Sequence, residues 1–491
     1  MNRLWHNQSF TLTGFTILLV GLILFSLSQV SALEGDIIIH DPSTIVRCDG
    51  RFYTYGTGGT CLVSNDGWLW KRGETPSRRG MAPDIIKLGD RYYQYISSNP
   101  GPQPLSQVHL ISSRSLNPES PDYGWREDGL INETDGVEFF NGIDPGLFLD
   151  PADGKLWMVF GSYFGYIRLV ELDPGTGQRV DQNYTNIAIN CEAATMIYHE
   201  GWYYLLATHG SCCRGADSGY NIRVGRSRKA TGPFLDNMGI DMIQGGGRLF
   251  LGSGGRVIGP GHFGLIDLGE GIQKFSCHYE ADLDRGGASV MDIRPLLWKD
   301  GWPAAGDNCK EGTYEIESLR TGTALELAVE GQPVGGRPRR GSGGPGGIFG
   351  GTGGVIPPQD VARVSADWPS GNVDIRMANY MCQAQQKWTL TPVKDAGGYL
   401  GSPYFRITVA GTGRTLAVGK DAELVALPNF TGGAEQLWKL DQLTDGTWRI
   451  MPKSVPGSNE PLALSAVGSS FATLAKFDPA SDRQRWLLKI P

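Results

Sequence analysis

The chain has 491 residues and a formal net charge of −7, and no cluster of Lys and Arg stands out, which excludes nucleic acid as a partner. Charged residues make up only 19 %, aromatics 10 %, and 70 residues are glycine, the make-up of a turn-rich, all-β, secreted protein. At this length two domains with full cores are expected.

In chain order, residues 1–32 read as a targeting segment outside the fold. Arg3 gives a positive start, Phe15 to Phe25 is almost wholly apolar, and Val30-Ser31-Ala32 resembles a cleavage site. The apolar run is short for a membrane span. The expectation is therefore a cleaved signal peptide, a secreted or periplasmic product, and no membrane contact after cleavage. A retained membrane anchor is the alternative. Eight cysteines spread over so long a chain do not define a disulfide scaffold. The adjacent Cys212 and Cys213 read either as an oxidised pair or as two small buried residues.

From residue 33 to about 305 one unit recurs. His40-Asp41-Pro42-Ser43, Ile143-Asp144-Pro145-Gly146 and Cys191-Glu192-Ala193-Ala194 each put a carboxylate before an apolar strand. A turn and an aromatic-rich strand follow each one: Arg51 to Tyr55, Lys155 to Phe160 and Gly201 to Leu206. Further units begin near Asp84 and Gly259. Five units of this kind predict a five-bladed β-propeller, in which the first strand of each blade lines a central funnel. On that reading Asp41, Asp144 and Glu192 occupy one repeat position and converge. Acids that merely bind turn amides would leave the same pattern at any single site, but not at three aligned ones.

Residues 306–491 carry a different repeat. Gln386-Lys387-Trp388, Gln436-Leu437-Trp438 and Gln484-Arg485-Trp486 recur at near-equal spacing, each followed by a short apolar strand. The Trp is expected in a shared core and the Gln on backbone groups of the turn. A Gly-rich insertion at 331–356 reads as a loop.

These motifs carry a resemblance. Residues 36–302 resemble the family 43 glycoside hydrolases through His40-Asp41-Pro42, Ile143-Asp144-Pro145, Cys191-Glu192-Ala193 and Ile258-Gly259-Pro260-Gly261-His262. The stretch Tyr220 to Ser227 with Thr231-Gly232-Pro233 also matches. Glu192-Ala193-Ala194 departs from the family's pattern by lacking a proline. Residues 312–490 resemble a ricin-B-type β-trefoil. The fold expected is thus a five-bladed β-propeller followed by a β-trefoil.

Glycoside hydrolysis needs one carboxylic acid to protonate the leaving oxygen and one carboxylate to activate water or attack carbon. The resemblance implies Asp41 as general base, Glu192 as general acid, and Asp144 as the group that orients Glu192 and raises its pKa. It implies an inverting enzyme acting on arabinose- or xylose-containing polysaccharides or oligosaccharides. It needs no cofactor for chemistry, though a calcium or sodium ion beside His262 is implied, by analogy with arabinanase-like members. Aromatic faces pack on sugar rings, so Trp68, Trp70, Tyr163 and Phe164, with Ser162 and Arg223, are the expected substrate-binding residues. The rival from another class is a noncatalytic carbohydrate-binding propeller.

Overall fold

The structure is a computed structural model that describes residues 32–101, 105–163, 165–329 and 369–491. Residues 1–31, Phe164 and the Gly-rich insertion at 331–356 lie outside the described residues. Among those described, no helix is long and apolar enough to cross a membrane.

Five antiparallel sheets follow one another along the first part of the chain. Their innermost strands begin at Val46, Met81, Gly146, Glu192 and Val257. Blades 2 to 5 each have four strands in sequential order. Blade 1 gains a fifth, Glu34–Gly35, laid parallel against Leu69–Arg72. The ring is closed non-covalently by the segment just before Asp41. Ile39 N–H bonds Ser289 and Met291 N–H bonds Ile37, so the chain start stitches blade 1 to blade 5.

The core lies between the blades, and this explains why the middle strands read as unbroken apolar runs. Successive side chains of a strand point to opposite faces. Tyr92 packs towards blade 1 with Tyr53 and Tyr55, while Tyr93 packs towards blade 3 with Leu156 and Met158. Val159 faces blade 4, where it meets Leu205, and Leu206 turns the other way to meet Phe275 and Leu296 of blade 5. A sheet covered on both faces has no polar side to alternate with.

The second part folds as a β-trefoil on a single core that contains Trp388, Trp438 and Trp486, all fully buried. Each indole N–H donates to the carbonyl of a leucine in its own repeat: Leu325 at 2.8 Å, Leu416 at 3.0 Å and Leu464 at 2.9 Å. The buried glutamines do as expected. The Oε1 atoms of Gln386, Gln436 and Gln484 accept from the backbone N–H groups of Met381, Thr431 and Asp478.

The trefoil rests on blades 1 and 5. Asp66 accepts from Gly398 N–H at 3.0 Å, and Thr444 exchanges backbone bonds with Gly271 and Trp298. Beneath this contact Lys274 of blade 5 reaches Asp441 of the trefoil at 3.4 Å, with both side chains almost fully buried.

Candidate active site

Each blade kinks within its inner strand or on the approach to it. Asp41, Ala82, Asp144, Ala193 and His262 have φ of 52°, 42°, 57°, 48° and 54°. One such residue stands in each blade. In blades 2 to 5 the first in-register pair after the kink lies two residues on, at Asp84, Gly146, Thr195 and Gly264. In blade 1, Ser43 N–H bonds Tyr55 at the same offset. The left-handed region costs a side-chain-bearing residue about 1–2 kcal/mol, so five in matched places mark a site that the surrounding sheets hold in shape. In blades 2, 4 and 5 the kink coincides with a β-bulge.

This frame corrects the alignment of the three acids. Asp41 and Asp144 share the kink position, but in blade 4 that place belongs to Ala193, and Glu192 precedes it by one residue. The longer glutamate arm starts from a different backbone position and still reaches the same funnel. His262 takes the kink position of blade 5.

Asp41 is wrapped by donors. Thr57 O–H donates to Oδ2 at 2.5 Å, His40 Nδ1 lies 2.8 Å from Oδ2, and His262 Nδ1 lies 3.1 Å from Oδ1. Burial would raise this carboxyl, but the adjoining His262 and His40 rings outweigh it and hold Asp41 well below the usual carboxylate range. The histidines respond in kind. Burial opposes charge on His40, yet Asp41 and Glu280 on either side push it up to about 10. His40 Nε2 contacts Glu280 Oε1 at 2.8 Å, and Glu280 also meets His278 at 3.3 Å and accepts from Cys213 N–H at 2.8 Å. Asp41 is therefore an anion set in a shell of imidazoles.

Glu192 is held from both sides. Ser162 O–H donates to Oε2 at 2.6 Å, and Tyr220 O–H donates to Oε1. Burial, and next the charge of Glu192, lift Asp144 well above the usual carboxylate range. The backbone of Ala193, the residue after Glu192, opposes that shift. Gly146 makes this approach of blades 3 and 4 possible, since a Cβ there would sit 2.2 Å from the Ala194 carbonyl oxygen. The charges of Glu192, Asp144 and Asp41 all act on the Tyr220 hydroxyl, so the three acids share one neighbourhood. The two sides of the site thus differ in character. One carries a fixed anion, the other two buried carboxyls, of which Asp144 is favoured in its protonated form by burial and by its neighbour Glu192.

The remaining expected residues divide. Ser162 is at the site on Glu192, and Tyr163 stands beside it, its phenol raised by burial and then by Glu192. Trp68 and Trp70 are not in the funnel. They are 3 % and 1 % exposed, packed in the core between blades 5 and 1, with Gly398 of the trefoil against Trp68. Their faces are spent on packing and offer nothing to a sugar. Arg223 pairs with Asn221 at 3.0 Å and makes no ion pair with the acids. Tyr220, Thr57, His40, Glu280 and His278 were not singled out from sequence. Tyr220 lies inside a stretch that carried the resemblance, and His40 adjoins Asp41, so both had a signal. Thr57, His278 and Glu280 had none.

Cys212 and Cys213 are joined by a disulfide, with Cys213 exposed, so they are not two small core residues. The cation implied beside His262 is a water-coordinated calcium or sodium ion, so it asks few ligands of the protein. His262 turns Nδ1 to Asp41 at 3.1 Å, and among the described residues neither group of three convergent ligating side chains includes it.

The model for the glycosyl hydrolases of family 43 matches residues 53–303, half of the chain. The chain belongs to that family. The enzyme is accordingly a glycoside hydrolase. A ricin-type β-trefoil lectin-like model matches residues 384–472. Among curated relatives, the extracellular endo-α-(1→5)-L-arabinanase 1 of Bacillus subtilis is 30 % identical over 58 % of this chain and 94 % of its own. The extracellular exo-α-(1→5)-L-arabinofuranosidase of Cellvibrio japonicus is 33 % identical over 54 % and 85 %. A solved family 43 endo-arabinanase from Bacillus licheniformis is 33 % identical, with a TM-score of 0.50 over 56 % of this chain and 100 % of that one.

Proposed function

We propose that this glycoside hydrolase is a secreted, inverting enzyme that cleaves α-L-arabinofuranosyl linkages of arabinan. Asp41 activates water by taking its proton, and the resulting hydroxide adds to the anomeric carbon as the glycosidic bond breaks. Glu192 gives its proton to the departing oxygen. Asp144 tunes and orients Glu192. The observation that carries this reading is the split character of the site, an imidazole-held anion at Asp41 opposite a buried carboxyl pair at Glu192 and Asp144. The relatives' activities favour arabinofuranosyl over xylosyl linkages, and their extracellular names, the apolar start of the chain and the Cys212–Cys213 disulfide favour export.

A leaving-group series tests the assignment. Glu192→Gln is expected to lose about 100-fold or more of kcat on arabino-oligosaccharides, whose leaving alkoxide needs a proton. It should largely spare aryl arabinofuranosides with acidic phenols. Equal losses on both substrates would remove Glu192 from the acid role. Proton NMR of the first product should show inversion at the anomeric carbon.

A further inference from the structure

Asp84 is a buried carboxylate of blade 2 that the chemistry above leaves unused. Its two oxygens reach in opposite directions. Oδ1 accepts from Thr44 N–H of blade 1 at 2.9 Å, and Oδ2 accepts from Leu147 N–H of blade 3 at 2.8 Å. Thr44 lies three residues after Asp41, and Leu147 three residues after Asp144. One side chain therefore ties the two strands that carry those acids, at the same step beyond each kink. A second tie runs beside it, since Thr57 bonds both Asp41 and the backbone N–H of Ala82, the kink residue of Asp84's own strand.

We infer that Asp84 is a positioning residue that fixes the spacing between the strands bearing Asp41 and Asp144, and through it the geometry of the reaction. This rests on the roles proposed above for those acids. An ionised carboxylate is the one side chain of this size that presents two acceptors and no donor. An amide in its place would turn an NH2 group on one of the two backbone N–H groups, so one strand would lose its anchor and its acid would drift. Geometric errors of this kind act on the rate of the chemical step more than on substrate binding.

The test uses the full chain and arabino-oligosaccharides. Asp84→Asn is expected to lower kcat about 30-fold or more with KM changed less than threefold, while the far-UV spectrum is retained. Asp84→Glu, which keeps charge and both acceptors on an arm one methylene longer, is expected to lose kcat in the same way. A purely structural Asp84 would instead lower the thermal midpoint and leave kcat per folded molecule unchanged, and that result overturns the inference. Should neither variant fold, hydrogen exchange in the unaltered enzyme decides. Thr44 and Leu147 amides as slow as those of the blade cores support the tie, and amides as fast as those of exposed loops remove it. Asp41→Asn is measured alongside. An active Asp41→Asn would sink the assignment of the base itself, whereas an inactive one beside a fully active Asp84→Asn would sink only the role given to Asp84.

Discussion

At the scale of single residues, the proposed roles separate a carboxylate that must stay charged from one that must carry a proton. Asp41 is charged because two imidazoles face it, and His40 in turn is charged because Glu280 stands behind it. Replacing His40 by Gln removes a positive neighbour, so the Asp41 carboxyl should rise. The acidic limb of the kcat/KM profile, which reports its protonation, should move to higher pH. An unmoved acidic limb would mean that the His40 charge does not reach the base. Asp144→Asn acts on the other limb. Burial and the charge of Glu192 lift the Asp144 carboxyl, and taking away this like-charged neighbour of Glu192 should make the proton of the acid easier to lose. The alkaline limb should therefore move to lower pH, with the acidic limb much less affected. Activity merely scaled down, with both limbs in place, would leave Asp144 as a substrate-binding residue.

At the scale of elements, one loop spans both sides of the site. It joins Trp202–His209 to Asn221–Ser227 of blade 4, and it is closed by Ser218 O–H donating to the Ser211 carbonyl at 2.8 Å. Through Cys213 N–H it holds Glu280, on the side of the base, and at its end Tyr220 holds Glu192, on the side of the acid. The Cys212–Cys213 bond removes freedom from the peptide that makes the first of these contacts. Reduction with a phosphine, or Cys213→Ser, is expected to lower kcat several-fold with little change in the thermal midpoint, because the loop is exposed. Full activity after reduction, with two free thiols titrated, would make the disulfide incidental to catalysis. The blades and the Gln-x-Trp repeats were legible because burial imposes periodicity, and periodicity survives in sequence. The offset of Glu192 was not legible. Its cause is a left-handed Ala193, and alanine gives no sign of that conformation as a glycine or asparagine would. Trp68 and Trp70 misled for a related reason: an aromatic near a blade edge looks the same in sequence whether a sugar or the trefoil covers it.

At the scale of the whole molecule, the order of the two folds could be read from the chain, but the contact between them could not, because its partners are far apart in sequence. Lys274 and Asp441 meet only once propeller and trefoil are docked. Burial lowers the Lys274 ammonium, and Asp441 opposes that. Asp441 also accepts from Arg449 at 2.9 Å and lies 3.1 Å from Lys439, and Arg449 reaches back to Glu270 of the propeller at 2.9 Å. Such a cluster adds little net stability over apolar groups of the same shape, because removing its charges from water is costly. Its leverage is asymmetric, since deleting one member strands the others. Asp441→Asn leaves the buried Lys274 without its carboxylate and Arg449 with Glu270 alone, and should destabilise the docked molecule by about 3–5 kcal/mol, read as a lower denaturation midpoint in urea. Changing Lys274 to Met in the same chain should restore part of that loss, because one stranded charge is then gone and its methylene volume is kept. If both changes cost only what their separate effects add up to, the pair is not coupled across the interface. The trefoil would then rest on the propeller through its remaining contacts, Gly398 N–H on Asp66, Arg449 on Glu270, and the apolar cluster that joins Ile272 to Leu443 and Phe477.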